Sequence, residues 1–351
     1  MLVELDHKEI VYSGRIDFLN TKKPEFIFPA SFVRIRFCGR RAAIIVRNHR
    51  GYWCNSIGTI IDKVQNKWEL NDQDTTELVL LDETCDKIHE IMIFKRQDSC
   101  HVFTLERLEL SDGAMILPIE DIPKRRIEVY GDSVSAGEVS EAVDFVGMPD
   151  PEHQGEYSNS WYSYAWMTAR KLKAQLQNIS QGGIPLLEGT GWVAPPEYLG
   201  MEFMWDKLHY HPQLKKVSQW DFSKYTPHLV IVAIGQNDSH PDDYMKTDYR
   251  GQKAQCWRKR YQQFLVDIRE KYPTAIIILT TTILEHDPNW DKAIEEVCRE
   301  INDPRVKHFL YKRNGCGTPG HPRILEQEEM AEELIAYING LDMPIWEDEL
   351  K

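Results

Sequence analysis

The stretch Arg126-Ile127-Glu128-Val129-Tyr130-Gly131-Asp132-Ser133-Val134-Ser135-Ala136-Gly137 decides how this chain reads. A short β-branched run ends in Gly-Asp-Ser, and the small residues after it permit a tight turn into a helix. An α/β sheet presents side chains in this way at the carboxyl end of a strand, the edge where ligands of such sheets bind. Alone the pattern is cheap: Ser133 reads better as a helix cap and Asp132 as a turn former than as catalytic groups. Two later stretches give it weight. Ile231-Val232-Ala233-Ile234-Gly235-Gln236-Asn237-Asp238 ends a second apolar strand in Gly-x-Asn-Asp, and Gly320-His321-Pro322 follows the last expected strand and precedes the last helix.

Upstream of this stretch the signals are almost all β. Val33, Ile35 and Phe37 alternate with Arg34 and Arg36, the period of a half-buried strand, and Ala42 to Val46 forms a second run ended by the turn-rich Asn48-His49-Arg50-Gly51. Glu77 to Leu81, His89 to Phe94 and Val102 to Leu110 supply three more. Short strands at close spacing predict a sandwich, jelly-roll-like, over residues 1–125. Two prolines and a run of charge from Leu117 to Arg125 read as a linker.

Downstream, over residues 126–351, strands alternate with helices, which predicts a parallel sheet covered on both faces, an α/β/α three-layer domain. Ser158-Asn159-Ser160 is expected to cap a helix carrying Trp161, Ala165, Ala169, Leu172 and Leu176. Later helices carry Trp257, Tyr261, Phe264, Leu265 and Ile268; then Trp290, Ile294, Val297 and Ile301; then Ala331, Leu334, Ile335 and Ile338, closed by Gly340. The segment from Pro185 to Lys224 has no clear period and reads as irregular.

The chain has 351 residues, enough for one large or two ordinary domains with a substantial core. Its formal charge of 42 − 55 = −13 opposes nucleic acid and anionic lipid as main partners, because phosphate binding needs clustered Lys and Arg. No run approaches the roughly 18 apolar residues of a membrane span. Residues 1–8 show no basic region followed by an apolar core, so no signal peptide is expected. Seven scattered cysteines without a Cys-x-x-Cys pair suit a reduced, cytoplasmic protein. No metal is assigned, since His209-x-His211 is a common chance spacing. A homo-oligomer is left open.

A serine hydroxyl is a poor nucleophile unless a base takes its proton, and histidine titrates in the right range. The tetrahedral intermediate then needs N–H donors for its oxyanion. Ser133, His321, Asn237 and a glycine in the turn Ser180-Gln181-Gly182-Gly183 each follow an expected strand, and in a parallel sheet those ends share one edge.

In this order the blocks resemble the SGNH hydrolases, and among them carbohydrate esterase family two, whose members carry a jelly-roll domain before the hydrolase domain. Tyr157-Ser158-Asn159-Ser160-Trp161 leading to Ala169-Arg170-Lys171-Leu172, and Gly315-Cys316 ahead of His321, also fit that branch. The resemblance implies Ser133 as nucleophile and His321 as general base and later acid. The backbone N–H groups of Ser133 and Gly183 and the side-chain amide of Asn237 would form the oxyanion hole, with Gly182 the competitor for the glycine position. It implies deacetylation of acetylated oligo- or polysaccharides such as xylan or glucomannan, without a cofactor. Alternatives are an SGNH esterase or thioesterase for lipid or other acyl groups, and a carbohydrate-binding protein without catalysis. Many relatives place an aspartate two or three residues before the histidine; here Pro319 and Thr318 stand there. A Ser-His dyad, its imidazole held by a backbone carbonyl, is therefore the expectation over a carboxylate arriving from elsewhere. Trp192, Trp205 and Trp290 are candidate sugar contacts, although aromatics at helical spacing, Trp257 and Trp290 included, are more often core.

Overall fold

The computed structural model describes residues 1–72 and 75–346. Among these, the strands from Leu2 to Leu117 form one antiparallel hydrogen-bonded set of ten. Two of them are long. Phe32–Arg50 contains both expected runs at 33–37 and 42–46, and Thr75–Lys95 contains those at 77–81 and 89–94. Register shifts at Gly39/Arg41 and Ala42/Ala43 mark where their ladder bends. Extra residues of this kind increase twist and re-aim a strand. Phe26, Val33, Phe37, Ile44, Ile93, Phe103 and Leu105 fill the core of this half.

The last antiparallel strand ends at Leu117 and the first parallel one, Arg125–Gly131, follows. The parallel sheet runs in the spatial order Ala174–Ser180, Arg125–Gly131, Leu229–Ala233, Ile276–Thr280, Val306–His308. In chain order that is 2-1-3-4-5, so the connection reverses direction between the Arg125–Gly131 and Leu229–Ala233 strands. A crevice opens beyond the carboxyl ends of strands at such a switch point. The Gly-Asp-Ser and Gly-Gln-Asn-Asp turns leave these two strands.

Alternate residues of each strand feed opposite faces. Val230 and Val232 pack with Trp257, Tyr261, Phe264 and Leu265 of the Gln252–Lys271 helix and with Trp290, Ile294 and Val297 of the Asn289–Ile301 helix. Leu229 and Ile231 pack with Ala165 and Ala169 of the Tyr164–Lys171 helix and with Leu334 and Ile338 of the Ile324–Asn339 helix. The helix expected from Ser158 onward starts later. Asn159 caps only the turn Ser160–Tyr162, and Ser163 caps the helix by accepting from Trp166 N–H, while Leu176 lies in the following strand. Two capping residues in close succession divide what the apolar spacing reads as one helix.

Arg15 joins the two halves. Fully buried, it donates to the carbonyls of Trp205 (2.7 Å) and Lys207 (2.9 Å), and its Nη2 lies 3.5 Å from Oε2 of buried Glu128 in the first parallel strand. The Trp220 ring lies 5.0 Å from the guanidinium. Burial pushes the Glu128 carboxyl up, so an uncompensated Glu128 would take a proton. Removing one member of a buried pair costs about 3–5 kcal/mol, and removing both costs less. Arg15→Met is expected to lower urea-unfolding stability by about that amount, with Arg15→Met/Glu128→Gln recovering a measurable part.

Candidate active site

Asp132 closes the first parallel strand and caps the turn that carries Ser133. Its Oδ1 accepts from the Val134 N–H at 3.0 Å. Oδ2 accepts from Gln236 Nε2 at 2.6 Å and from Asn237 Nδ2 at 3.2 Å. Gln236 Oε1 in turn accepts from Thr282 Oγ1 at 2.8 Å, beyond the Ile276–Thr280 strand. One buried carboxylate thus ties together the ends of two adjacent strands, with a third reached through Gln236. Burial pushes the Asp132 carboxyl up to about 6 despite these donors.

Ser133 is the first residue of the helical turn Ser133–Ala136 and is 4% exposed. Its backbone N–H and that of Gly183 have no acceptor among the described residues, whereas the Gly182 N–H donates to Asp98 Oδ2 at 2.9 Å. Of the two glycines considered for the oxyanion hole, Gly183 is the one with an uncommitted donor. The Asn237 amide lies beside Asp132, but it also donates to the Ile184 carbonyl at 3.2 Å. Both its contacts are long, and a ligand oxygen would have to replace one of them. Asp238 accepts from the Leu186 and Leu187 N–H groups at 2.7 and 3.0 Å and so fixes the chain after Gly183.

His321 precedes the last helix. Its ring Nδ1 is 2.5 Å from Asp150 Oδ2, and its backbone N–H donates to Asp150 Oδ1 at 2.9 Å. Buried Arg323 adds a contact to Asp150 Oδ1 at 2.9 Å. Burial pulls the Asp150 carboxyl up, but the bonds and charges of His321 and Arg323 outweigh it and hold it well below the usual carboxylate range. The dyad expectation is therefore corrected: a carboxylate does orient the imidazole, and it comes from the loop between the first helical turn and the Tyr164–Lys171 helix. Gly320 makes this approach possible, because a Cβ there would lie 2.6 Å from the Met148 carbonyl and 2.7 Å from Asp150 Oδ1. Glu138 connects Ser133 and His321. Its N–H donates to the Ser133 carbonyl at 3.0 Å, and its Oε2 is 3.7 Å from His321 Nε2.

Of the three candidate sugar contacts, Trp192 is 58% exposed and its N–H donates to the Gly183 carbonyl at 3.0 Å, beside the free N–H. Trp205 and Trp290 are buried in the core of the parallel half, which for Trp290 is what its helical spacing implies and for Trp205 removes a candidate from the irregular segment. Among the described residues, two groups of potential metal ligands converge. In Asp98, Cys100 and His101 the ligating atoms already bond one another at 2.6–3.3 Å. In Asp17, Glu25 and His209 the Lys216 ammonium bridges the two carboxylates at 2.6 and 2.9 Å.

Burial also pushes the Asp238 carboxyl up to about 7. A carboxyl that holds its proton more tightly when folded makes the folded state bind more protons than the unfolded chain, so stability falls as pH rises through the interval and levels off above it. Between pH 4 and pH 7 the wild type is expected to lose stability more steeply than Asp238→Asn, by a few kcal/mol in total, in urea titrations across that range.

Residues 12–119 match the family model described as Carbohydrate esterase 2 N-terminal. The chain is 25% identical over 346 residues to the cellulase/esterase CelE of Acetivibrio thermocellus, covering 95% of this chain and 40% of that one. To the acetylxylan esterase / glucomannan deacetylase of Cellvibrio japonicus it is 30% identical over 252 residues, covering 70% of this chain and 65% of the relative. It thus spans less than two thirds of the length of either. A family two carbohydrate esterase from Clostridium thermocellum, solved with cellohexaose, superposes with a TM-score of 0.77 at 24% identity over 94% of this chain and 98% of that one. The antiparallel half thus carries the N-terminal signature of carbohydrate esterase family two, and with the parallel sheet behind it the chain has the fold of that family's solved members.

Proposed function

We propose that this chain is a serine O-acetyl esterase that removes acetyl groups from plant cell-wall carbohydrate, xylan or xylo-oligosaccharide first and glucomannan second. The observation that carries the reading is His321 held at Nδ1 by Asp150 on the same edge as Ser133 and the free N–H groups of Ser133 and Gly183.

In this reading Ser133 Oγ attacks the acetyl carbonyl while His321 Nε2 takes the hydroxyl proton. The carbonyl oxygen gains negative charge and accepts from the Ser133 and Gly183 N–H groups, with Asn237 Nδ2 joining when it gives up the Asp132 or Ile184 contact. Collapse returns the proton from His321 to the departing sugar oxygen and leaves an acetyl-serine. A water, deprotonated by His321, then attacks that ester and releases acetate and the free hydroxyl. Asp150 fixes the tautomer and offsets the charge of the imidazolium. Because the acid is present, the proposal is a Ser-His-Asp set rather than a dyad.

Exposed Trp192 supports a sugar substrate, since an aromatic face beside the oxyanion donors suits the apolar face of a pyranose ring. The description of the Cellvibrio relative supports acetylated xylan and glucomannan. Seven unpaired cysteines support a reducing, cytoplasmic setting and hence imported oligosaccharides as substrates.

Acetate release from acetylated xylo-oligosaccharide tests this. The wild type is expected to be active, and Ser133→Ala and His321→Ala to lose activity with folding intact. Asp150→Asn is expected to lower kcat by roughly 10²–10⁴ without abolishing it, as a misoriented imidazole does. Preference for octanoate over acetate esters, or full activity in Ser133→Ala, would overturn the proposal.

A further inference from the structure

We propose that Asp98 and Glu138 form a carboxyl pair sharing one proton that positions the site from beneath: Asp98, from the antiparallel half, fixes the turn bearing the Gly183 N–H, and Glu138 presents a neutral acid to the Nε2 edge of His321. The inference rests on the esterase reading for its kinetic consequence but not for its structure.

Asp98 lies in the connection between the Thr75–Lys95 and His101–Leu110 strands and is fully buried. Its carboxylate accepts from the Gly182 N–H (2.9 Å), from Gln181 Nε2, from Tyr52 Oη (3.2 Å) and from Cys100 Sγ (3.2 Å), and it pairs with His101 Nδ1 (2.6 Å). Ser99 next to it donates to the Ser180 carbonyl at 3.1 Å. Residues 180–182, one step before the oxyanion donor, are thus held by the other half of the molecule.

Glu138 meets the same turn from the opposite side. A Cβ on Gly182 would lie 2.0 Å from Glu138 Oε1 and 2.9 Å from Asp98 Oδ2, so only glycine lets the two carboxyls converge there. Both carboxyl oxygens thus crowd one point beside Gly182, and two buried carboxyls brought together there do not both ionise. The donors around Asp98 decide which keeps the proton. Burial pulls both carboxyls up; the His101 and Lys95 charges and the Gly182 N–H hold Asp98 down, while the Asp98 charge raises Glu138 further.

The groups facing Glu138 from every side are Asp98, with Tyr52, Lys95, Cys100 and His101 around it, then Asp132 from the Gly-Asp-Ser turn, Asp150 from its loop and His321. Among the described residues, the ion-pair partner of Glu138 is the His321 ring, its Nε2 3.7 Å away. Were Glu138 ionised, it would hold the proton on His321 and compete with Ser133 for Nε2. Removing the Asp98 charge should do this: Glu138 ionises, the imidazolium gains a partner, and the neutral base appears only at higher pH.

Infrared difference spectra at pH 7 and pH–rate profiles test the pair. Glu138→Gln and Asp98→Asn are each expected to lose one protonated-carboxyl band relative to the wild type. Asp98→Asn is expected to move the acid limb of kcat/KM up by about one unit. It should also lower kcat, by up to the roughly 10²–10³-fold typical of a lost oxyanion donor, with KM little changed. Asp98→Asn/Glu138→Gln should return the acid limb to its wild-type position while kcat stays low, which a merely structural defect would not do. An unchanged band in Glu138→Gln, or an unmoved limb in Asp98→Asn, overturns the pair. If Asp98→Asn does not fold, the Glu138→Gln spectrum decides alone. A wild type with the expected bands but no acetate release would overturn the esterase reading and leave the pair standing.

Discussion

The buried Asp132 carboxylate is the constraint on which the site depends. A parallel sheet brings strand ends to one edge, but it does not fix the turns that leave them. Asp132 does so by accepting from Val134, Gln236 and Asn237 at once, so the serine turn and the asparagine turn are positioned by a single group. Its environment is costly, because a buried carboxylate prefers to be protonated, and the three donors are what offset that cost. The Ser133 and Asn237 side chains keep their relative placement only while this bond set is intact.

The second constraint comes from outside the α/β half. The turn after the Ala174–Ser180 strand is tied to the α/β half by the Gln181 N–H on the Gly131 carbonyl and the Trp192 N–H on the Gly183 carbonyl. Ser99 and Asp98 hold it from the other half, and Tyr210 Oη donates to Gln181 Oε1 at 2.5 Å from the irregular segment. With the Arg15–Glu128 pair deeper in the same seam, the antiparallel half is built into the site rather than appended to it. A change in that half would therefore be read in catalysis as well as in stability.

Much of this was legible from residues because it depends on local pattern. Apolar runs ending in Gly-Asp-Ser and Gly-Gln-Asn-Asp mark strand ends, and helical spacing marks the covering helices, although the first of them starts later and ends earlier than its spacing implies. The bends of the two long antiparallel strands were not legible, since a bulge leaves only a break in alternation at Gly39-Arg40-Arg41. Asp150 was missed for a different reason. It is 171 residues from His321, in a loop with no period, and its role is set by the path of that loop across Gly320. Pro149 and Pro151 on either side of it were the one available signal, because flanking prolines restrict the backbone of the residue between them. Asp98 carries no signal at all; its partners lie across the seam, and nothing local distinguishes it from a turn former.

Two carboxyls flank His321, and their different surroundings give them different work. Asp150, partly exposed, gains Arg323 and the His321 N–H and stays ionised on the Nδ1 side. Glu138, buried against the Asp98 charge, stays neutral on the Nε2 side. Environments that drive similar groups to opposite protonation states are how a protein assigns acid and base roles. Here the result is a field with a direction along the imidazole: negative charge behind Nδ1 favours proton uptake at the far nitrogen, and the absence of an anion beside Nε2 leaves that nitrogen to the serine. The same two acids exchanged in protonation state would lock the proton where it could not be returned to a leaving group, so the placement of Asp98 in a separate half of the chain bears directly on the chemistry at Ser133.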